Sequence, residues 1–335
     1  MRPWRALEIQ ALAPAPRVAL VERPPRAPAP GEVAIAVEYS SLNYKDALAL
    51  AGHPGVVKRV PLVGGIDAAG EVVESASPDF VPGQKVLVTG YELGQTHDGG
   101  WCTGLVVPAD WVVPLPPGLD TFQAMALGTA GFTAALAYKR LLDNDQRPER
   151  GPMLVTGASG GVGGFAVNLL ADQGFAVTAM TGKPTAAARL RALGAIEIVD
   201  RAVAELDDER PLLSGRWGGA IDNLGGPYLA WITRCLCRRG NVVAVGLAAG
   251  SELKTTVMPF ILRGVALLGV DSSATAADLR RWLWQQLAGP WRPSGLDRMV
   301  AGVIGLDAVP AAAERLRAGA VDGRYVIAVG AAPRG

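Results

Sequence analysis

The chain has 335 residues, of which 50% are hydrophobic and 19% charged, so it can bury a large core and disorder is excluded. Lys and Arg number 32 against 31 Asp and Glu, and this net charge of +1 excludes a broad basic surface for nucleic acid or for an anionic membrane. Three cysteines are too few for a disulfide framework in a chain of this length. Glu8 interrupts the apolar core that a signal peptide would need. The longest uncharged stretch, 151–171, is too rich in glycine for a membrane span.

The first part of the chain, up to about residue 124, is rich in proline and glycine and contains short β-type runs between turn signals. The runs are 31–39, 70–75, 84–91 and 110–116. This spacing predicts a small antiparallel barrel or sandwich. A stretch of low charge follows at 122–142, and its apolar residues recur at helical spacing, which predicts a helix.

The second part, from about residue 151, alternates strands with helices of about ten residues, which predicts a parallel sheet of βαβ units. The predicted strands are 153–157, 175–180, 196–199, 218–225, 241–247 and 265–271. The tail predicts a helix and a last strand that returns to the first domain. The expected fold is α/β, with a β-barrel domain (1–124 and 296–335) and a Rossmann doubly wound parallel sheet (125–295).

A glycine-rich turn connects the strand 153–157 to the next predicted helix. Ala158, Gly160 and Gly163 have the A-x-G-x-x-G spacing of a dinucleotide-binding turn, and Gly161 adds a further glycine. Small residues allow a tight turn, bring backbone N–H groups to a pyrophosphate and let the helix pack close to its strand. Such a pattern can be purely structural, but its place at the start of the βαβ units favours a nucleotide site.

The end of the second predicted strand bears on which dinucleotide binds. An NAD site usually carries Asp or Glu about 20 residues beyond the glycines, and no acidic residue lies between Asp172 and Glu197. The residues found there are Thr181, Gly182 and Lys183, with Arg201 after the third strand. Hydroxyl, amide and cationic groups suit the 2′-phosphate of NADPH, whereas solvated loop charges are the alternative.

A barrel domain followed by a Rossmann domain of this size resembles the medium-chain dehydrogenase/reductase superfamily, whose first domain is GroES-like. Zinc enzymes of that superfamily bind the metal through Cys, His and Cys or Asp side chains. The matching strings here, SSLNYKDAL (40–48) and GGIDAAGEVV (64–73), place Asn43, Tyr44, Ile66 and Asp67 in those regions. The resemblance therefore implies no metal site.

Seven strings between residues 40 and 329 are similar to the zinc-free YhdH/YhfP-type quinone oxidoreductase and acryloyl-CoA reductase branch of that superfamily. They are SSLNYKDALA (40–49), PLVGGIDAAGEVV (61–73), GTAGFTAALA (128–137), VTGASGGVGG (155–164), GGAIDNLGG (218–226), TTVMPFILRGVALLGVDS (255–272) and DGRYVIAV (322–329). Two segments depart from the branch: TGK (181–183) replaces the usual Ser-Gly-Arg, and 284–300 is rich in tryptophan.

This resemblance implies a cytoplasmic, homodimeric oxidoreductase that uses NADPH to reduce an activated double bond without a metal. The candidate cofactor-binding residues come from the matching strings and the strand ends. They are Asn43, Tyr44, Ser159, Gly160, Gly161, Val162, Thr181, Gly182, Lys183, Arg201, Leu247, Ile261, Ser272 and Arg324.

The catalytic candidate is Tyr44, a role that the resemblance implies. Without zinc, a hydrogen-bond donor must stabilise the negative charge that develops on a thioester oxygen; a core tyrosine is the alternative reading. Asn43 could orient the ribose or carboxamide of the cofactor. Asp46 is expected to be a structural cap and Asp67 to fix its loop, and water could supply the proton.

Two other functions stay open at this point. The protein could pass electrons to a quinone, which needs a flat apolar slot, or it could bind NADPH without turnover. An enoyl-CoA substrate needs cations for its phosphates, and Lys58 and Arg59 are candidates for that contact, although exposed basic residues usually meet only water.

Overall fold

The computed structural model describes residues 3–12 and 16–330, so residues 1–2, 13–15 and 331–335, which the expected first domain includes, lie outside the described residues. The chain forms two compact units. The first comprises 1–129, 273–288 and 300–335, and the second comprises 130–272 and 289–299. Each helix of the described residues is too short or too polar to serve as a membrane span.

The strands of the described residues follow in chain order. They are β1 (Trp4–Ala11), β2 (Arg17–Arg23), β3 (Glu32–Ser41), β4 (Leu62–Val63), β5 (Asp67–Ser75), β6 (Lys85–Thr89), β7 (Gly104–Pro108), β8 (Val113–Pro114), β9 (Met153–Val155), β10 (Val177–Met180), β11 (Ala195–Val199), β12 (Trp217–Asp222), β13 (Leu236–Ala244), β14 (Ala266–Gly269), β15 (Val300–Gly305) and β16 (Arg324–Ala328).

The α-helices of the same residues are fewer and mostly short. They are α1 (Tyr44–Leu50), α2 (Thr121–Asp143), α3 (Gly161–Asp172), α4 (Ala187–Ala192), α5 (Gly226–Cys235), α6 (Met258–Arg263), α7 (Ala277–Ala288) and α8 (Val309–Arg317).

The first unit is built on a strongly paired β-structure. Its larger sheet has the order β15-β16-β3-β5-β6-β8, and β7 also pairs with β3. A smaller sheet has the order β2-β1-β4. Val33, Ile35 and Val37 alternate along β3 and point to one face, where they enter the core of this unit. The last strand, β16, pairs antiparallel with β3 through Tyr39, Ser40 and Ser41.

The second unit contains the predicted parallel sheet. Its strand order is β11-β10-β9-β12-β13-β14, and all five pairings are parallel. The direction of winding reverses between β9 and β12. In open α/β sheets, ligands bind beyond the carboxyl ends of the strands at such a reversal, and the glycine-rich turn follows β9 there.

Two predicted elements differ from the structure. The expected strand at 110–116 is a 3₁₀ turn, Ala109–Trp111, followed by only the two residues of β8. The expected helix at 122–142 becomes α2, but Gly128 breaks it with φ 49° and ψ −158°. A Cβ atom at Gly128 would lie 2.6 Å from both the Arg324 Nη2 and the Asp67 Oδ2 atoms, so the backbone bends where it passes a buried ion pair.

The unit boundaries also differ from those expected at 124 and 295. Residues 273–288 belong to the first unit rather than to the nucleotide-binding part. Arg280 of α7 is 1% exposed and donates hydrogen bonds to the carbonyl and hydroxyl oxygens of Thr89 in β6, at 2.7 and 3.1 Å. Trp284, part of the tryptophan-rich segment, is fully buried on the same helix. The buried hydrogen bonds of Arg280 thus hold α7 in the first unit.

Candidate active site

The glycine-rich turn of the second unit is compact. Gly163 lies so close to the turn that a Cβ atom there would be 2.3 Å from the Gly157 carbonyl oxygen. Helix α3 begins at Gly161 with Gly160 as its N-cap, and a Cβ atom at Gly160 would lie 3.3 Å from the Gly157 carbonyl oxygen. Only glycine lets α3 start this near its strand, and the N-terminal amides of α3 then form an anion site.

The side chains after β9 and β10 are connected. The Thr181 hydroxyl donates to the Ser159 hydroxyl at 3.1 Å, and the backbone N–H of Lys183 donates to the Thr181 oxygen at 3.1 Å. Ser159 and Thr181 are both buried. The structure therefore brings the predicted pyrophosphate and ribose ends of the site together within one unit.

Arg201 lies against Gly182. A Cβ atom at Gly182 would be 2.6 Å from both the Nε and Nη2 atoms of Arg201, which begins the 3₁₀ turn Arg201–Val203 after β11. Gly182 and Arg201 line a pocket of about 550 Å³. An exposed guanidinium over a glycine backbone, beside an open pocket, suits a phosphate group.

The same pocket contains two carboxylates that the sequence analysis did not assign to it, those of Asp200 and Asp207. The Asp200 side chain accepts a hydrogen bond from the Ala202 N–H at 2.8 Å, so it caps the turn that Arg201 begins. The absence of acidic residues between Asp172 and Glu197 therefore does not leave this pocket without carboxylates. Arg201 therefore has acidic neighbours in the pocket that it lines.

Arg189 is a further residue that sequence reasoning missed. From α4 its Nη2 atom donates to the Ser159 carbonyl oxygen at 2.9 Å, and its Nη1 atom lies 3.3 Å from the Met299 sulfur. The hydrogen bond from Arg189 to the Ser159 carbonyl oxygen holds the backbone of the glycine-rich turn in place. Its only sequence signal is an arginine in a short alanine-rich helix, which is indistinguishable from a surface residue.

The other candidates of this unit lie at different places. Leu247 is 66% exposed in the turn after β13, and this turn packs on the turn after β12: a Cβ atom at Gly225 would be 3.0 Å from the Leu247 Cα atom. Ile261 is 71% exposed on α6. Ser272 is the last residue of the 130–272 segment of this unit.

In the first unit, Asn43 and Tyr44 form the start of α1. Asn43 is the N-cap, and its backbone N–H donates to the Asp46 Oδ2 atom at 2.8 Å. Tyr44 is the first helical residue and is 47% exposed. The alternative reading of Tyr44 as a core residue is wrong, and a phenol on a fixed backbone is available as a hydrogen-bond donor.

Arg324, a candidate cofactor contact, is buried in this unit. It is 3% exposed, its Nη1 atom donates to the Leu127 carbonyl oxygen at 3.0 Å, and its Nη2 atom lies 3.8 Å from the Asp67 Oδ2 atom. The Nη2 atom also donates to the Asn43 Oδ1 atom at 3.4 Å. The Arg324 guanidinium is therefore held inside the first unit by Leu127, Asp67 and Asn43.

Asp46 is a fully buried carboxyl. It accepts hydrogen bonds from the Asn43 and Ile66 N–H groups at 2.8 and 3.0 Å, which is the capping role expected from the sequence. Burial, followed by the negative charge of Asp67, raises the pKa of Asp46 to about 7. Its charge therefore changes near neutral pH.

Neither predicted CoA contact is a free cation. The Arg59 guanidinium donates to the carbonyl oxygens of Thr96 and Pro61 at 2.5 and 2.7 Å and to Asp98 at 3.2 Å. The Lys58 ammonium lies 3.7 Å from the Glu92 carboxylate. Arg59 therefore braces its own loop, and a phosphate would have to compete with these partners.

The described ranges contain no group of three or more His, Cys, Asp and Glu side chains arranged to hold a metal ion. Cys102, Cys235 and Cys237 are free thiols. Burial raises the pKa of Cys102 to about 11 and that of Cys235 to about 12, so both thiols stay protonated and unreactive at neutral pH.

The residues of the second unit fit a dinucleotide. The N-terminal amides of α3, the Ser159 hydroxyl and the guanidinium of Arg201 are donors of the kind that the phosphate and ribose oxygens of a dinucleotide accept from. This arrangement is the one a Rossmann site requires.

Comparisons with known proteins agree with this fold. Residues 29–117 match the family of the alcohol dehydrogenase GroES-like domain, and residues 161–288 match that of the zinc-binding dehydrogenases. The chain belongs to the medium-chain dehydrogenase/reductase superfamily, and the predicted fold, a GroES-like domain plus a Rossmann sheet, is confirmed.

Three relatives place it in one branch of that superfamily. The chain is 45% identical over 301 residues to acrylyl-CoA reductase AcuI of Ruegeria pomeroyi (90% of this chain, 91% of the relative) and 43% identical over 295 residues to putative quinone oxidoreductase YhfP of Bacillus subtilis (88% and 89%). The structure of YhfP with NAD has a TM-score of 0.94 at 40% identity (98% and 100% covered). That of the YhdH oxidoreductase of Salmonella enterica with NADP has 0.92 at 40% (97% and 99%). The predicted YhdH/YhfP-type branch is confirmed.

The buried Asp46 predicts a pH-dependent stability. Its folded pKa lies above the value of about 3.9 for an unfolded chain, so its contribution is fully present at low pH and is lost as the pH rises through 7. Relative to Asp46→Asn, wild-type protein should lose up to about 1.4 kcal/mol of unfolding free energy per pH unit between pH 5 and 7. Urea unfolding of both proteins across this range measures it. Parallel pH profiles would contradict the assignment.

Proposed function

We propose that this protein is an NADPH-dependent reductase of an activated carbon–carbon double bond, with an α,β-unsaturated acyl-CoA such as acryloyl-CoA as substrate. The observation that carries the proposal is the exposed phenol of Tyr44 at the capped start of α1, in a chain whose second unit has a glycine-rich turn of the dinucleotide-binding type. The 45% identity to an acrylyl-CoA reductase over 90% of the chain supports it.

The reaction places demands that these residues meet without a metal. A bound NADPH would supply the hydride that the β-carbon of the substrate accepts. The electron pair of the double bond then moves toward the thioester carbonyl, whose oxygen becomes negative. The Tyr44 hydroxyl donates a hydrogen bond to that oxygen, as in other oxyanion sites. A water molecule protonates the α-carbon and completes the reduction.

A quinone reductase is the second candidate. The identity of 43% to the putative quinone oxidoreductase YhfP supports it, as do the existing partners of Lys58 and Arg59, which leave no free cation at that position for CoA. A third possibility, NADPH binding without turnover, is disfavoured because Asn43 and Tyr44 are held in place at the start of α1.

Parallel assays with three acceptors decide between these functions. NADPH oxidation is followed with acryloyl-CoA, crotonyl-CoA and a 1,4-quinone, before and after dialysis against a chelator. We expect the highest kcat/KM with acryloyl-CoA and no change on chelation. A preference for the quinone would support the second candidate, no turnover with any acceptor the third, and activity that chelation removes and zinc restores would contradict the metal-free mechanism.

The cofactor preference should depend on Arg201 and, more weakly, on Lys183. A charge-assisted hydrogen bond contributes about 1.5–3 kcal/mol, so Arg201→Ala should weaken NADPH binding at least about 10-fold and leave NADH binding nearly unchanged. Lys183→Ala should act in the same direction by less, because an ammonium lacks the fork of a guanidinium. Calorimetric titration with both cofactors measures the Kd values.

A matched control for this prediction is Arg238→Ala, which removes an exposed arginine of the same unit that does not line the pocket. It should change neither Kd. Equal affinity of the unmutated protein for NADH and NADPH would refute the assignment, and Asp200 would then be the residue that favours NADH.

We also propose a homodimer formed through β14. This strand is an edge of the parallel sheet, and around it lie exposed apolar side chains: Val257, Met258, Ile261 and Leu262 of the preceding segment and Leu267 of β14 itself. An unpaired edge with an apolar border is a surface that a second copy can pair with and cover.

The dimer is tested by mass in solution. The unmutated protein should have twice the monomer mass of 34.8 kDa by light scattering at micromolar concentration, and Leu267→Lys should shift it toward the monomer. Leu20→Lys, which changes an equally exposed leucine of the first unit, should leave the dimer intact. A monomeric unmutated protein would contradict the proposal.

The free thiols suit the cytoplasm, which we propose as the location of the protein.

A further inference from the structure

The carboxylate of Asp67 is a buried junction of the first unit. It is 0% exposed, and its Oδ2 atom accepts hydrogen bonds from the Ser41 hydroxyl at 2.5 Å, the Asn43 Nδ2 at 2.8 Å and the Thr129 N–H at 2.9 Å. Its Oδ1 atom accepts from the Thr129 hydroxyl at 2.5 Å. One side chain thus joins the end of β3, the start of α1 and the part of α2 that resumes after Gly128.

Asn43 connects this junction to the helix that carries Tyr44. Its amide nitrogen donates to Asp67 and, at 3.2 Å, to Asp46, while its amide oxygen accepts from the Arg324 guanidinium at 3.4 Å. Because carboxylates face the nitrogen and a cation faces the oxygen, the amide has one allowed orientation. The N-cap of α1 is therefore fixed by charge as well as by geometry.

Tyr44 depends on that N-cap for its position. Within the described part of the first unit no hydrogen bond holds its hydroxyl, and the ring is half-exposed. The N-cap at Asn43 fixes the backbone from which the Tyr44 side chain leaves. Any loss of order at Asn43 is therefore transmitted directly to the hydroxyl.

We propose that Asp67 is a positioning residue, which orients the Tyr44 phenol through the Asn43 amide and the N-terminus of α1. This inference rests on the proposed function, because it assigns Asp67 to the oxyanion contact made by Tyr44. Asp67 touches neither substrate nor cofactor in this role. It determines kcat through the placement of a donor.

A double-mutant cycle of Asp67→Asn and Tyr44→Phe tests the proposal. An asparagine at 67 offers one acceptor oxygen to four donors, so the Asn43 amide loses its fixed orientation. With acryloyl-CoA, or with the quinone if that is the better acceptor, Asp67→Asn should lower kcat by about 10- to 100-fold. Tyr44→Phe should lower it by about 100-fold or more. The KM for NADPH should stay within about 2-fold of wild type in both.

The decisive comparison is the effect of Asp67→Asn on kcat in the Tyr44→Phe protein. If Asp67 acts through Tyr44, Asp67→Asn should lower kcat of the Tyr44→Phe protein by no more than about 2-fold. A full, multiplicative loss there would overturn the proposal and leave the proposed function standing. Tyr44→Phe with unchanged kcat would instead remove Tyr44 from the mechanism and the positioning role with it.

Hydrogen exchange supplies a measurement that does not depend on turnover. In the protein without substrate, Asp67→Asn should speed amide exchange in peptides that cover 41–50, which contain α1, by about 10-fold or more. Unchanged exchange there would overturn the proposal even if no acceptor is reduced. Glu38→Gln is the matched control: this carboxylate of the same unit accepts from Lys85 and Thr121, both at 2.5 Å, and its loss should leave kcat and the exchange of 41–50 unchanged.

Asn43→Ser keeps the proposal testable if Asp67→Asn does not fold. Serine caps helices as well as asparagine does but is too short to join Asp67 to α1. It should reproduce the fall in kcat and the faster exchange, again with little further effect in the Tyr44→Phe background. A normal kcat and normal exchange in Asn43→Ser would overturn the proposal.

Discussion

The first unit depends on the burial of one carboxylate, that of Asp67. Transfer of an ionised group from water to the interior is very unfavourable unless it is paired and hydrogen-bonded, and here four donors and the Arg324 cation surround it. Those partners come from β3, α1, α2 and β16. The positive φ of Gly128 follows from this requirement, because only a residue without a side chain lets Thr129 reach the carboxylate.

The local patterns of the sequence predicted the parallel sheet well, because apolar strands and ten-residue helices recur with a period that only βαβ units explain. They did not predict the break in α2. Its apolar spacing continues through Gly128, and the cause of the break, Asp67, lies far away in the chain. The placement of α7 was missed for a similar reason, since Arg280 finds its partner in Thr89 of β6.

The candidate site, too, could be predicted from the sequence only in part. The glycine-rich turn and the cluster of Thr181, Gly182 and Arg201 could be located from strand ends, because the carboxyl ends of parallel strands meet at one edge. Tyr44 was assigned through a family resemblance, and its role stays a prediction. The ion-pair function of Arg324, the support from Arg189 and the presence of Asp200 beside Arg201 depend on distances that no linear pattern encodes.

The division of the chain into units has a consequence for how the protein is made. The chain passes from one unit to the other four times, at 129, 272, 288 and 299. All six strands of the parallel sheet lie between Met153 and Gly269, so that sheet is complete on the ribosome while β16 is still unsynthesised. Until then, the Tyr39–Ser41 edge of β3 lacks its partner strand and the Asp67 carboxylate lacks its Arg324 cation. The nucleotide-binding unit is therefore free to fold first during translation, and the unit that carries Tyr44 is completed only after β16 has emerged.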